Sequence, residues 1–190
     1  TKDYLVSVGE RLSIRVAAAY FNTIGIRARA MDAWDAGFRS DSNYTSAEVL
    51  KESWNDIAAR LGPLVEAGVL PIVTGFIAKD AAGSITTLGR GGSDLTATLI
   101  GSACGAEEVQ VWKDVDGILT ADPRVVKAAV PVETVTYEEA AELAYFGAQV
   151  LHPRSMQPCI ATGTPVRVKN SYNPSAPGTR IVASLGGAAG

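Results

Sequence analysis

Arg90 lies inside the run Thr86-Thr87-Leu88-Gly89-Arg90-Gly91-Gly92-Ser93-Asp94, where residue type and spacing are best suited to chemistry. A planar guanidinium can grip a carboxylate or a phosphate through two parallel hydrogen bonds. Three glycines in four positions let the backbone take positive φ and come close to a ligand. Ser93 and Asp94 suit a helix N-cap ahead of the apolar run Leu95 to Ile100. A glycine turn feeding a helix turns free N–H groups and the positive end of the macrodipole toward an anion. On residue types alone, a capped and solvated turn fits equally well. The Gly-Lys-Ser/Thr ending of a P-loop is absent, which excludes that class of NTPase.

The elements that must position this turn read as alternating helices and strands. Leu5, Val8, Leu12, Val16, Ala19, Tyr20 and Ile24 recur at helical spacing, so Tyr4 to Ile24 is expected as an amphipathic helix ended by Gly25. Glu10 interrupts its apolar face beside Arg11, and by type alone it is a solvated carboxylate. A strand is expected over Ala28 to Trp34. A capping box at Thr45-Ser46-Ala47-Glu48 should start a helical region running toward Glu66, broken near Gly62-Pro63. Val69 to Thr74 reads as a buried strand, Ser84 to Leu88 as a hairpin arm, and Glu108 to Trp112 as a further strand. Asp114-Val115-Asp116-Gly117 is strong turn chemistry. Thr136-Tyr137-Glu138-Glu139 is a second capping box, whose helix Gly147 should stop. His152 is expected to cap a helix with Pro153 in its first turn, and Pro165 to Lys169 alternates as a strand. Trp112, Tyr145, Cys104 and Cys159 are expected in the core. The pattern defines an α/β class with a mostly parallel sheet, in which ligands gather beyond the carboxyl ends of strands.

Seventeen basic against twenty acidic residues leave a net charge of −3, which argues against a nucleic-acid surface. No apolar run reaches the ~18 residues of a membrane span. The two cysteines have no ligand-like spacing, which favours a reducing compartment and no metal centre. The start, Thr1-Lys2-Asp3, has no signal-peptide layout and reads as the inside of a longer chain.

Four ordered blocks resemble the aspartate kinases within the amino acid kinase family. They are Gly9-Glu10-Arg11-Leu12-Ser13, Thr87 to Asp94 with Thr96-Ala97, Val111 to Gly117 with Thr120 and Asp122-Pro123-Arg124, and Phe146 to Pro153. The resemblance covers nearly the whole chain. It implies a three-layer sandwich with a mostly parallel central sheet, incomplete at the N-terminus, over residues 1–183, followed by a linker-like tail over 184–190. It implies transfer of the γ-phosphoryl of ATP to the side-chain carboxylate of L-aspartate, with Mg2+ carried on the triphosphate and no protein metal ligand. That reaction opens lysine, threonine and methionine biosynthesis. Carried over by position, Glu10 meets the substrate ammonium, Arg90 holds its α-carboxylate and Phe76 lines the pocket. Gly91, Gly92 and Ser93 bring N–H groups to the phosphates, and Asp94 orients a phosphate-gripping lysine. Lys113, Asp114 and Arg124 fall where nucleotide is contacted. Leu119 stands where some members have tyrosine, and Gln149 where some have lysine. An α-amino acid presents a cation and two anions, so a selective site needs a fixed carboxylate and a fixed guanidinium. Glu10 and Arg90 supply them.

The family's Lys-Phe-Gly-Gly strand is absent from these 190 residues. The expectation is therefore a fragment with much of both pockets and little or no turnover, belonging to a larger homo-oligomeric enzyme of the cytoplasm or the plastid stroma. Another amino acid kinase, or a non-catalytic nucleotide-binding subunit, stands as the alternative.

Overall fold

The computed structural model describes residues 2–121, 125–145 and 151–185. Arg124, Gly147, Gln149 and most of the Phe146–Pro153 block lie outside the described residues, as does the end of the tail. The chain divides into two compact units, Thr1–Cys104 and Gly105–Gly190.

The first unit runs α1 (Lys2–Thr23), β1 (Ala28–Met31), α2 (Ser53–Glu66), β2 (Leu70–Val73), β3 (Ile77–Lys79), β4 (Ile85–Thr87) and α3 (Gly92–Ala103). β1 and β2 pair in parallel, Ala28 opposite Leu70, and β3 and β4 form an antiparallel hairpin, Ile77 opposite Thr87. Phe38, Ile57, Leu61, Ile77, Leu88, Leu95 and Leu99 form a core around which these elements close. β1 ends earlier than expected because Asp32 starts a turn, its carbonyl accepting from the N–H groups of Asp35 and Ala36. β2 is half-buried rather than fully enclosed.

Three expectations fail here for physical reasons. The apolar stripe of α1 faces outward, with Leu5 at 73% exposure, while Asp3, Ser7, Ile14 and Ala18 face in. Polar anchors select that face. The buried Asp3 carboxylate accepts from backbone N–H groups, and Arg11 and Arg15 hold the buried Asp32. A buried carboxylate is tolerated only when so partnered. The Thr45–Glu48 capping box starts no helix, because its backbone donors are already committed. Thr45 N–H goes to Asp3, Ala47 N–H to the Thr87 carbonyl and Glu48 N–H to Asp41. α2 begins at Ser53 and continues through Pro63, its register held by the fully buried Ile57 and Leu61. Cys104, at the C-cap of α3, is exposed, whereas Cys159 is buried.

The second unit runs β5 (Val109–Lys113), β6 (Thr134–Thr136), α4 (Tyr137–Tyr145), α5 (Pro153–Thr162), β7 (Val166–Asn170) and β8 (Thr179–Val182), with sheet order β5-β7-β8-β6. β5 with β7 and β6 with β8 are parallel; β7 with β8 is antiparallel. Across both units the described pairings are mostly parallel, as the α/β pattern required. The second capping box forms reciprocally: Thr136 N–H donates to the Glu139 carboxylate at 2.7 Å, and Glu139 N–H to the Thr136 hydroxyl at 3.1 Å. His152 caps α5 through Nδ1, which accepts from Arg154 N–H at 3.2 Å. Trp112 is not a core residue; it lies exposed at the sheet edge beneath Lys169 Nζ, 5.1 Å from the ring centre.

Candidate functional site

In the first unit the glycine turn is fixed from below and from the side. Gly91 has φ of 73° and is itself the N-cap of α3, which starts at Gly92 rather than after Ser93 and Asp94. The reason is steric. A Cβ on Gly92 would sit 2.9 Å from the Phe76 ring and 3.0 Å from Leu88, so this first helical residue packs against the loop that follows β2. That loop is itself unusual: Phe76 adopts φ of 70° and donates its N–H to the Thr96 hydroxyl at 3.2 Å. Thr96 in turn donates to the Gly92 carbonyl at 2.9 Å, and Leu88 N–H donates to the Phe76 carbonyl at 2.8 Å. A non-glycine residue at positive φ costs of order 1–3 kcal/mol and persists only where its surroundings impose it. Phe76, Gly91, Gly92 and Ser93 therefore stand in one compact cluster. Arg90 is exposed in the middle of the turn, and Asp94, the third residue of α3, is half-buried.

The strand entering the turn is anchored by Asp3, which no residue pattern marks. One of its carboxylate oxygens, Oδ2, accepts from Thr45 N–H at 2.9 Å, Thr87 N–H at 2.8 Å and the Thr87 hydroxyl at 3.2 Å. Thr45, like Phe76, has positive φ. One side chain thus ties the start of α1 to the strand entering the turn and to the loop before α2. Glu10 is half-buried on the same helix, about 10 Å along the axis from Asp3. No bond links Glu10 to Arg90.

In the second unit Lys113 ends β5 and pairs in register with Asn170. Its carbonyl accepts from the Ser171 N–H at 2.8 Å and hydroxyl at 2.9 Å. Asp116 accepts from the Asn170 and Asn173 amides at 2.8 and 3.2 Å, and Asp114 is exposed beside it. The Thr179 hydroxyl accepts from Ile118 N–H at 2.8 Å and donates to the Val132 carbonyl at 2.7 Å. Parallel strands β5 and β7 thus end in two mutually bonded loops at their carboxyl ends, where open α/β sheets bind ligands. Leu119 is half-buried in this loop region. Among the described residues no three His, Cys, Asp or Glu side chains stand together as a metal centre, and a magnesium ion carried on phosphate oxygens and water needs none.

Residues 1–170 match the amino acid kinase family, and the chain belongs to that family. Aspartokinases are among its relatives. It is 57% identical over 183 residues to the chloroplastic aspartokinase 1 of Arabidopsis thaliana, covering 95% of this chain and 32% of that protein. It is 40% identical over 191 residues to the aspartokinase of Saccharomyces cerevisiae, covering 95% and 35%. Its fold superposes on the crystal structure of Escherichia coli aspartokinase III in complex with aspartate and ADP with a TM-score of 0.89 at 39% identity, covering 97% of this chain and 41% of that one. The chain spans about a third of the length of the curated relatives it matches. Among the described residues no helix is long and apolar enough to cross a membrane.

Proposed function

We propose that this chain supplies the aspartate-binding and phosphate-facing parts of an aspartate kinase, which transfers the γ-phosphoryl of ATP to the side-chain carboxylate of L-aspartate and yields 4-phospho-L-aspartate. The observation that carries the reading is the turn itself. A guanidinium is presented between two αL glycines, directly ahead of a helix start packed too tightly for any side chain at Gly92. Phosphoryl transfer asks mainly for positioning and charge stabilisation, and this turn offers both. Arg90 pairs with the α-carboxylate, Phe76 walls the pocket and Glu10 attracts the ammonium. The N–H groups of Gly91, Gly92 and Ser93 face the phosphates, and Asp94 orients the lysine that neutralises them. Lys113, Asp114 and Arg124 hold the nucleotide. Mg2+ neutralises phosphate charge when bound. The chloroplastic relatives favour the plastid stroma, and a homo-oligomer is expected for the larger protein.

Calorimetry on the 190-residue chain with L-aspartate and with ADP tests this. Binding of both is expected, with Arg90→Ala weakening aspartate by about 2–5 kcal/mol while leaving the melting temperature in place. Aspartate affinity unchanged by that substitution overturns the assignment. Binding without turnover is the expected behaviour of these 190 residues, since the lysine-glycine strand is not among them; turnover near that of the longer relatives contradicts it.

A further inference from the structure

A second cleft in the first unit has no part in the reaction just described. It encloses about 350 Å³ and is lined by Tyr4, Arg11, Trp34, Lys79, Gly83, Ser84 and Ile85. It sits at the Asp80–Ser84 end of the β3–β4 hairpin. The glycine turn leaves the opposite end, and Ser84 and Gly89 are separated by roughly 17 Å of extended chain. Three groups able to bind an anion converge there. Lys79 Nζ rests 4.1 Å from the Trp34 ring centre, with no carboxylate partner among the described residues. Arg11 also lies over that ring at 5.5 Å. Its Nε is spent on Asp32 at 3.2 and 3.4 Å, while the terminal nitrogens of Arg15 bind the same carboxylate at 3.1 Å each. The two terminal nitrogens of Arg11 therefore remain for another acceptor. The Ser84 backbone is held to Asp80 in both directions, its N–H donating to the carboxylate at 2.8 Å and its carbonyl accepting from Asp80 N–H at 3.0 Å, which leaves its hydroxyl uncommitted.

The nearby carboxylate oxygens are already committed. Asp80 is buried and engaged by Ser84, Ser42 and Tyr44. Asp32 is already shared between two arginines. Two cations on one indole repel each other, and an oxyanion between Arg11 and Lys79 would relieve that repulsion while taking charge-assisted bonds from both. We propose that this cleft binds a small oxyanion, a phosphate or a carboxylate, gripped by the Arg11 terminal nitrogens, Lys79 Nζ and the Ser84 hydroxyl. Trp34 forms its wall.

Nuclear magnetic resonance titration of the 190-residue chain with inorganic phosphate, and separately with succinate, tests it. Saturable shifts of the Trp34 indole N–H and the Ser84 amide are expected with at least one of them. Response to phosphate alone assigns a phosphate ligand, to succinate alone a carboxylate, and to both a general oxyanion site. Lys79→Gln should weaken the binding about tenfold with the rest of the spectrum in place. Ser84→Ala, which removes only a hydroxyl and keeps the fold, should weaken it several-fold. The proposal is overturned if neither anion moves the Trp34 indole, if shifts are confined to Gly91–Ser93, or if both variants bind like the parent.

Discussion

The glycine turn after β4 and the loop after β5 are built in opposite ways. The first is made by the backbone: φ is positive at Gly89, Gly91 and Phe76, and Gly92 has no room for a Cβ. The second has one such position, Gly117 at φ of 128°, but it is closed by side chains that arrive from far along the sequence, Thr179 onto Ile118 and Asn170 onto Asp116. A turn of the first kind is written into its own residues. A loop of the second kind is only as stable as the remote residues that clamp it. The contrast predicts that the β5 loop fails through substitutions far from it in sequence, and the glycine turn through substitutions within or directly beneath it.

The largest effect should come from Gly178→Ala. Gly178 has φ of 74°, and a Cβ there would meet the Val168 carbonyl oxygen at 2.0 Å, a backbone atom that cannot give way. A left-handed alanine costs about 1–2 kcal/mol before any clash, so a loss of about 3 kcal/mol or more in urea denaturation is expected. An unshifted midpoint would mean that β7 and β8 do not clamp the loop. Next is Asp3→Ala, which leaves the Thr45 and Thr87 N–H groups without their acceptor and should cost about 2–3 kcal/mol. It should also weaken aspartate more than nucleotide, because the strand it anchors leads to Arg90. Equal weakening of both ligands would show that Asp3 serves overall stability alone.

The difference between the two loops also explains what could be read from the sequence. The turn at Gly89–Asp94, the parallel strands β5 and β7, the Thr136–Glu139 capping box and the His152 cap are short-range patterns, and they were legible. Cap propensity points to Ser93 and Asp94 instead of Gly91 because it carries no knowledge of Phe76 pressing on Gly92. The stripe on α1 gave the right helix and the wrong inner face. Periodicity records where apolar residues fall, whereas two buried carboxylates, Asp3 and Asp32, decide which way this helix turns. The box at Thr45 had suitable residues but its donors were claimed by Asp3, Asp41 and Thr87, the first and last some forty positions away. β6 and β8 went unseen because strands of three and four residues, one in a Pro- and Gly-rich stretch, carry almost no period. The Arg11–Trp34–Lys79 cleft is likewise assembled from separate elements, and no motif announces it.

A smaller effect separates the units by pH. Burial, with the Cys159 sulfur nearby, pushes the Tyr137 hydroxyl in the second unit up to about 12, and it donates to the Thr164 carbonyl. Its folded pKa lies above the unfolded value near 10, so the native state keeps a proton that the unfolded chain has lost. The associated stability is fully present below pH ~10 and is lost as pH rises toward ~12, to the extent of roughly 2 kcal/mol. Melting curves of the parent should fall through that window more steeply than those of Tyr137→Phe. Parallel curves would remove Tyr137 from the account.

The smallest effect comes from the ion pair that borders β5. Burial alone would raise Glu108, but Arg167 donates through Nε to both carboxylate oxygens at 2.9 Å and Gln110 adds a third bond, so the carboxyl is held below its ordinary range. A depressed carboxylate stabilises the fold above its unfolded pKa and loses that contribution as pH falls through the folded one. Both side chains keep some solvent contact, 21% for Glu108 and 27% for Arg167, so solvent screening limits the pair to about 0.5–1 kcal/mol. Glu108→Gln should therefore lower stability slightly at neutral pH, by less in high salt, and not at all in acid. Because Arg167 spans β7 toward the Pro177 carbonyl, only 3.3 Å from its Nη1, the loss should appear first as faster amide exchange around residues 177–180, beside the Gly178 clamp. Exchange that quickens instead around Gly89–Asp94 would mean that the glycine turn depends on side chains of the second unit as well as on Asp3, and the contrast between the two loops would fail.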